Sequence, residues 1–165
     1  MAKTHTVFNG THASFWDVDA LNLVGIATTE IDNGMFLKLG NMSPNADGAY
    51  EFTVTADATD GEYIAGTPAQ GYGVDAQVYT DPRYFTNEIG KPISVKHLVK
   101  GDCIEITQMS GITLVDNQFA KVAAGKLVAT PTNTDNTAVF KVLSTTSTMD
   151  IGGELVPTWI LMKLV

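Results

Sequence analysis

With 165 residues, 44% of them hydrophobic, and a single cysteine, the chain is long enough to bury a core without a disulfide framework or a structural metal. A net charge of -8 and a lone arginine, Arg83, exclude functions built on neutralising phosphates, because nucleic-acid affinity draws on clustered Lys and Arg. No stretch approaches the ~18 consecutive apolar residues of a membrane helix and the opening residues form no apolar leader, so neither a membrane nor a nucleic acid is an expected partner and the chain reads as unexported.

In chain order, residues 1–20 read as an extended N-terminal arm. Lys3, Thr4, His5, Thr6, Val7 and Phe8 alternate in a way that suits strand addition to a neighbour, and Phe15 and Trp16 beside them supply large contact area at small entropic cost. Residues 14–24 have room for a turn or two of helix. Residues 21–90 form a first β unit, punctuated by Asp32-Asn33-Gly34, Pro44-Asn45-Ala46-Asp47-Gly48 and Thr59-Asp60-Gly61. These are residues that accept positive φ or bond their own backbone in turns. Between them, Tyr50, Phe52, Val54 and Ala56 share one face of a strand, and Gly66-Thr67-Pro68-Ala69-Gln70-Gly71-Tyr72-Gly73 is a loop by composition.

A connection at 86–92 leads to a second β unit over 91–165. Val95-Lys96-His97-Leu98-Val99 is the second short helical candidate, a single turn before Gly101-Asp102. Cys103-Ile104-Glu105-Ile106-Thr107 then alternates as a strand, with Ile104 and Ile106 on the buried face. Turn signals at Asp116-Asn117, Asp135-Asn136 and Gly152-Gly153 separate two largely buried strands, Val139-Phe140-Lys141-Val142-Leu143 and the closing segment from Thr158 to Val165. The expected fold is all-β, a compact antiparallel barrel or sandwich made of two small β units or one continuous domain, with little helix.

Chemistry-bearing residues do not converge in the sequence. His5, His12 and His97 lie far apart, one cysteine cannot complete a zinc template, and neither Asp17 and Asp19 nor Asp57 and Asp60 continue into a calcium loop, so no metal and no cofactor are expected. Cys103 sits between Asp102 and Glu105, an anionic setting opposite to that of a catalytic thiolate. No serine is framed as a nucleophile elbow. Trp159 reads as core, whereas Trp16, Tyr63, Tyr72, Tyr79 and Tyr84 have no evident arrangement.

Ile31-Asp32-Asn33-Gly34 with Leu39-Gly40, then Phe85-x-Asn87-Glu88-x-Gly90-Lys91-Pro92, then Leu98-x-x-Gly101-Asp102-x-Ile104-x-Ile106-Thr107, follow one another in an order that carries a resemblance over residues 28–165. The chain resembles small structural proteins of tailed bacteriophages and prophages, the capsid decoration (cement) or head-fibre type. The Gly125-Lys126-Leu127, Val139 to Leu143 and terminal strands fall in the same order. The resemblance implies a non-enzymatic virion protein made in the host bacterial cytoplasm and bound to the capsid exterior. Its implied partners are the major capsid protein and further copies of itself, a trimer being favoured. Residues 3–8 with Phe15 and Trp16 are the expected capsid contact. Two other readings are a β-sandwich module of a phage fibre that recognises carbohydrate or cell surface through Trp16 or Tyr72, and an enzyme using Asp57 and Asp60 as acid and base.

Overall fold

A computed structural model describes residues 5–13, 22–42, 52–69, 81–133 and 138–165. Among these there is no helix, and the alternating segments form strands β1 (Phe8–His12), β2 (Asn22–Ala27), β3 (Phe36–Met42), β4 (Phe52–Thr55), β5 (Tyr63–Ala65), β6 (Pro92–His97), β7 (Cys103–Thr107), β8 (Phe119–Ala123), β9 (Lys126–Thr130), β10 (Phe140–Ile151) and β11 (Glu154–Lys163). The all-β fold expected from turn spacing is therefore the observed one. Both helical candidates give way to strands where they are described: 22–24 lies in β2 and 95–97 in β6, where β-branched Val24 and Val95 fit a pleated surface.

Strands β2-β4-β3-β5-β6 close into a barrel, and β1-β7-β11-β10-β8-β9 form a curled six-stranded sheet. Every neighbouring pair is antiparallel except β2 and β4, which run parallel from Gly25↔Phe52 to Ala27↔Val54. Closure accounts for this exception. A ring of five strands cannot alternate direction all the way round, so one parallel pair is the minimum. The barrel takes in β6, so the change from one sheet to the other falls between His97 and Cys103, beyond the 90/91 division read from composition.

Period-two alternation divides two strands between two cores. In β3, Leu37 points into the barrel with Ile31, Val54, Ile93 and Val95, while Phe36 points away from it. In β5, Ala65 and Ile64 are divided the same way. Phe36, Ile64, Ala58 and Leu98 thereby join Ile104, Ile106, Leu127, Phe140, Trp159 and Leu161 in a larger core that spans barrel and sheet. Phe36 and Phe140 meet with ring centres 5.1 Å apart. The two units share a wall and pack as one body.

The turn between β8 and β9, Ala124-Gly125, pins that wall. Both residues have positive φ, the requirement of a two-residue hairpin turn whose twist matches its strands. Gly125 O accepts Phe36 N at 2.9 Å, and Gly125 N donates to Ala58 O at 3.1 Å. The β10–β11 hairpin turns through Gly152-Gly153 in the same positive-φ geometry. Its outer half, from Thr148↔Pro157 to Ile151↔Glu154, extends past the residues where β8 and β7 pair with it.

The described part of the N-terminal segment, expected as an extended arm suited to strand addition on a neighbour, adds its strand to the chain's own sheet. Residues 8–12 form the edge strand of the sheet, paired with β7 through Phe8↔Ile106 and Asn9↔Glu105. The physical reason is the buried apolar content of the segment, Val7 and Ala13, together with Phe8 packed against the larger core.

Candidate functional site

Three turns that are distant in sequence meet beside the N-terminal segment. Ile31 and Asn87 exchange backbone hydrogen bonds, Ile31 N to Asn87 O at 3.1 Å and Asn87 N to Ile31 O at 2.9 Å. Asn87, 3% exposed, adds a side-chain bond from Nδ2 to Ile31 O at 2.8 Å and a longer one to Asn33 Oδ1 at 3.3 Å. Asn33 in turn closes a two-way clasp on Thr67: its Nδ2 donates to Thr67 O at 2.7 Å, and its Oδ1 accepts Thr67 N at 3.0 Å. Thr67 Oγ1 accepts Ser94 N at 2.9 Å, which ties the clasp to β6. These side chains satisfy backbone groups that irregular buried loops would otherwise leave unpaired.

The same junction receives the N-terminus. His5 Nδ1 and Asp32 Oδ1 lie 2.6 Å apart, and Thr86 Oγ1 donates to the same oxygen at 3.1 Å. His5 N donates to Arg83 O at 2.6 Å, while Val7 bonds Thr107 through its N to Oγ1 at 2.9 Å and its O to the Thr107 N at 3.0 Å. His5, Thr6, Val7 and Phe8 are thus brought together along a seam within the chain. Lys3, Thr4, Phe15 and Trp16 lie outside the described residues.

Beside the seam opens a cleft of about 560 Å³, walled by His5, Asp32, Met35, Thr107, Gln108, Lys126, Arg83 and Glu154 among others. Arg83 forms part of its wall. Its Nε reaches both Asp81 oxygens at 3.1 and 3.2 Å, Nη2 bonds Asp81 Oδ2 at 2.7 Å, and Nη1 bonds Glu154 at the tip of the β10–β11 hairpin. The guanidinium hydrogen bond holds the Asp81 carboxyl below the usual carboxylate range, and the two carboxylates raise Arg83 further. Sequence reasoning missed this clamp. Asp81 and Arg83 are two residues apart and visible as a pair, but Glu154 is 71 positions away and only folding presents it.

The remaining chemistry-bearing residues take structural positions. Asp60 Oδ1 accepts Glu62 N at 3.2 Å and Asp57 N donates to Thr55 Oγ1 at 3.2 Å, both of them local turn hydrogen bonds between residues two apart. His97 Nε2 sits 3.3 Å from Glu62 Oε1 and its ring centre 5.3 Å from that of Tyr63, whose hydroxyl is pushed up by burial and by Glu62 and Asp60. Trp159 is core, as its apolar strand implied. Tyr72 and Tyr79 lie outside the described residues. Among the described residues no group of three His, Cys, Asp or Glu side chains is placed to hold a metal ion.

The chain is thus defined by its architecture: an all-β protein in which a closed five-stranded barrel shares a core with a curled sheet. Comparison with protein-family models, curated proteins and solved structures finds no match.

Proposed function

We propose that the protein is a non-enzymatic structural component of a phage virion, a decoration protein that binds the outer surface of the major capsid protein and stabilises the assembled shell. The observation that carries this reading is where the signature residues lie. Ile31, Asp32, Asn33 and Asn87, which carry the resemblance to that class, form one largely buried polar junction that fixes loops, strands and the N-terminal segment relative to one another. Residues spent on rigidity suit a protein whose task is to present a fixed surface. A rigid binder loses less conformational entropy on docking, and a ligand of the assembled lattice alone shifts assembly toward that lattice by mass action.

The test is co-sedimentation of the purified protein with shells assembled from the major capsid protein of its own phage. The expected result is saturable binding together with a higher shell disruption temperature. A variant lacking residues 1–4 and a Phe15→Ala, Trp16→Ala double variant ask whether those positions make the contact; the fold's own β1 is left intact in both. Absence of binding by the full chain overturns the proposal, and glycan screening then tests the fibre reading.

A further inference from the structure

The six-stranded sheet buries one face only. Ile104, Ile106, Phe140, Val142, Trp159 and Leu161 point into the shared core. The residues between them point the other way, and strand register sets them in rows. Cys103, Met162, Lys141, Phe119 and Thr130 stand opposite one another across β7, β11, β10, β8 and β9. Glu105 pairs with Ile160 in one flanking row, and Lys121 with Val128 in another. A solvated sheet face ordinarily carries polar residues. Here Met162, Phe119 and Ile160 are half-buried, Val128 and Leu143 are exposed, and none of the five belongs to either core.

Charge on this face runs against that of the chain. Lys121, Lys126 and Lys141 lie on it by alternation, three of the chain's ten Lys and Arg, and none has an ion-pair partner among the described residues. The carboxylates that alternation puts on the same face are both engaged: Glu105 accepts Thr158 Oγ1 at 2.6 Å and Ser147 Oγ at 3.1 Å, and Glu154 holds Arg83. On a chain of net charge -8 the result is a cationic, apolar island. Two copies meeting face to face would set lysines against lysines, and a polyanion such as nucleic acid is repelled by the chain as a whole. The surface that complements the island is a protein face with exposed apolar groups and unpaired carboxylates.

We propose that this sheet face is what seats on the capsid shell, against an apolar patch of the major capsid protein bordered by carboxylates. The assignment rests on the reading of the chain as a shell-binding protein, and it moves the contact away from residues 5–8, which are engaged in the chain's own fold. Burial of the apolar residues supplies affinity, and the lysine–carboxylate pairs fix orientation.

Cys103 is the chain's one cysteine and ends the central row half-buried, so its alkylation reports whether the face is covered. Wild-type protein is bound to shells assembled from the major capsid protein of its own phage, and maleimide modification of Cys103 is timed by peptide mass spectrometry, free and bound. Bound protein should react several-fold more slowly. A Lys121→Glu, Lys141→Glu double variant should bind about tenfold more weakly or worse. Lys38→Glu with Lys91→Glu makes the same change in net charge at two exposed lysines outside the sheet and should bind as wild type does. Urea midpoints check that both variants fold. Cys103 reacting as fast in the bound protein as in the free one, or equal weakening by the two double variants, overturns the assignment of the face while shell binding stands. Protection of Cys103 that grows with protein concentration in the absence of shells gives the face to a second copy and also overturns it. Failure of the wild-type chain to bind shells overturns both the assignment and the reading beneath it.

Discussion

Replacing Gly125 by alanine puts a methyl group where the structure has no room for one. A Cβ built there would lie 2.2 Å from Ala56 O and 2.8 Å from Phe36 O, both backbone atoms of the barrel wall. Neither can turn aside as a side chain would. The residue also has φ of +71°, a region that costs an L-residue about 1–2 kcal/mol by itself. Displacing packed backbone adds roughly 1–3 kcal/mol, so the substitution should destabilise by about 2–5 kcal/mol. Gly111→Ala is the matched control, because Gly111 has φ of +79° but nothing within 4 Å of its would-be Cβ, leaving only the conformational cost of about 1–2 kcal/mol. For a chain of this size the first variant should lose roughly 10 °C in Tm and the second roughly 4 °C. Urea titration followed by tryptophan fluorescence measures both. Equal destabilisation of the two variants would refute the claim that the β8–β9 turn is wedged into the barrel.

Asn33→Ala leaves Thr67 N and Thr67 O without their partner and removes the longer of the two Asn87 Nδ2 bonds in a buried junction, and should cost about 2–4 kcal/mol in equilibrium unfolding. Phe140→Ala empties the centre of the core shared by barrel and sheet, at a cost of about 3–5 kcal/mol and with a single unfolding transition retained. The folded pKa of Lys163 lies below the value of an ordinary lysine, so the native state binds fewer protons than the unfolded chain, and stability should rise as pH climbs between those two values. Lys96 acts in the same sense, and Lys163→Met should flatten the rise measured by urea midpoints as pH climbs toward the ordinary lysine value. The slope has the same sign for Asp81 in the acid range, because its lowered carboxyl also binds fewer protons when folded: its stabilising contribution is present above the ordinary carboxylate value and is lost as pH falls through the folded one. Arg83→Ala should remove that acid dependence and raise amide exchange in the outer half of the β10–β11 hairpin.

The strands were legible because period-two alternation and turn residues are local signals. Ile104 and Ile106 are buried in β7 as the pattern Cys103-Ile104-Glu105-Ile106-Thr107 requires, and Gly152-Gly153 makes the hairpin turn. Alternation failed for Thr107, assigned to the polar face with Glu105 but buried, because its hydroxyl receives the N–H of Val7, just ahead of β1 and 100 positions away. The candidate contact residues 5–8 read as an arm for the same reason. Nothing within the first ten residues announces that β7 offers them an edge.

Composition, turn chemistry and alternation by themselves determined the all-β class, the strands at β4, β7, β9, β10 and β11 and several of the places where the chain reverses, since each depends on neighbours within a few residues. Tertiary structure alone decided which strands pair, that five of them close and therefore include one parallel pair, and that β3 and β5 face two cores at once. It also decided that Asn33, Asn87 and Thr67 meet, that Arg83 finds Glu154, and that Lys163 is buried against the carbonyls of residues 60 and 61. Each of these is a contact between residues far apart in the chain, and its energy exists only once the backbone between them has closed the loop.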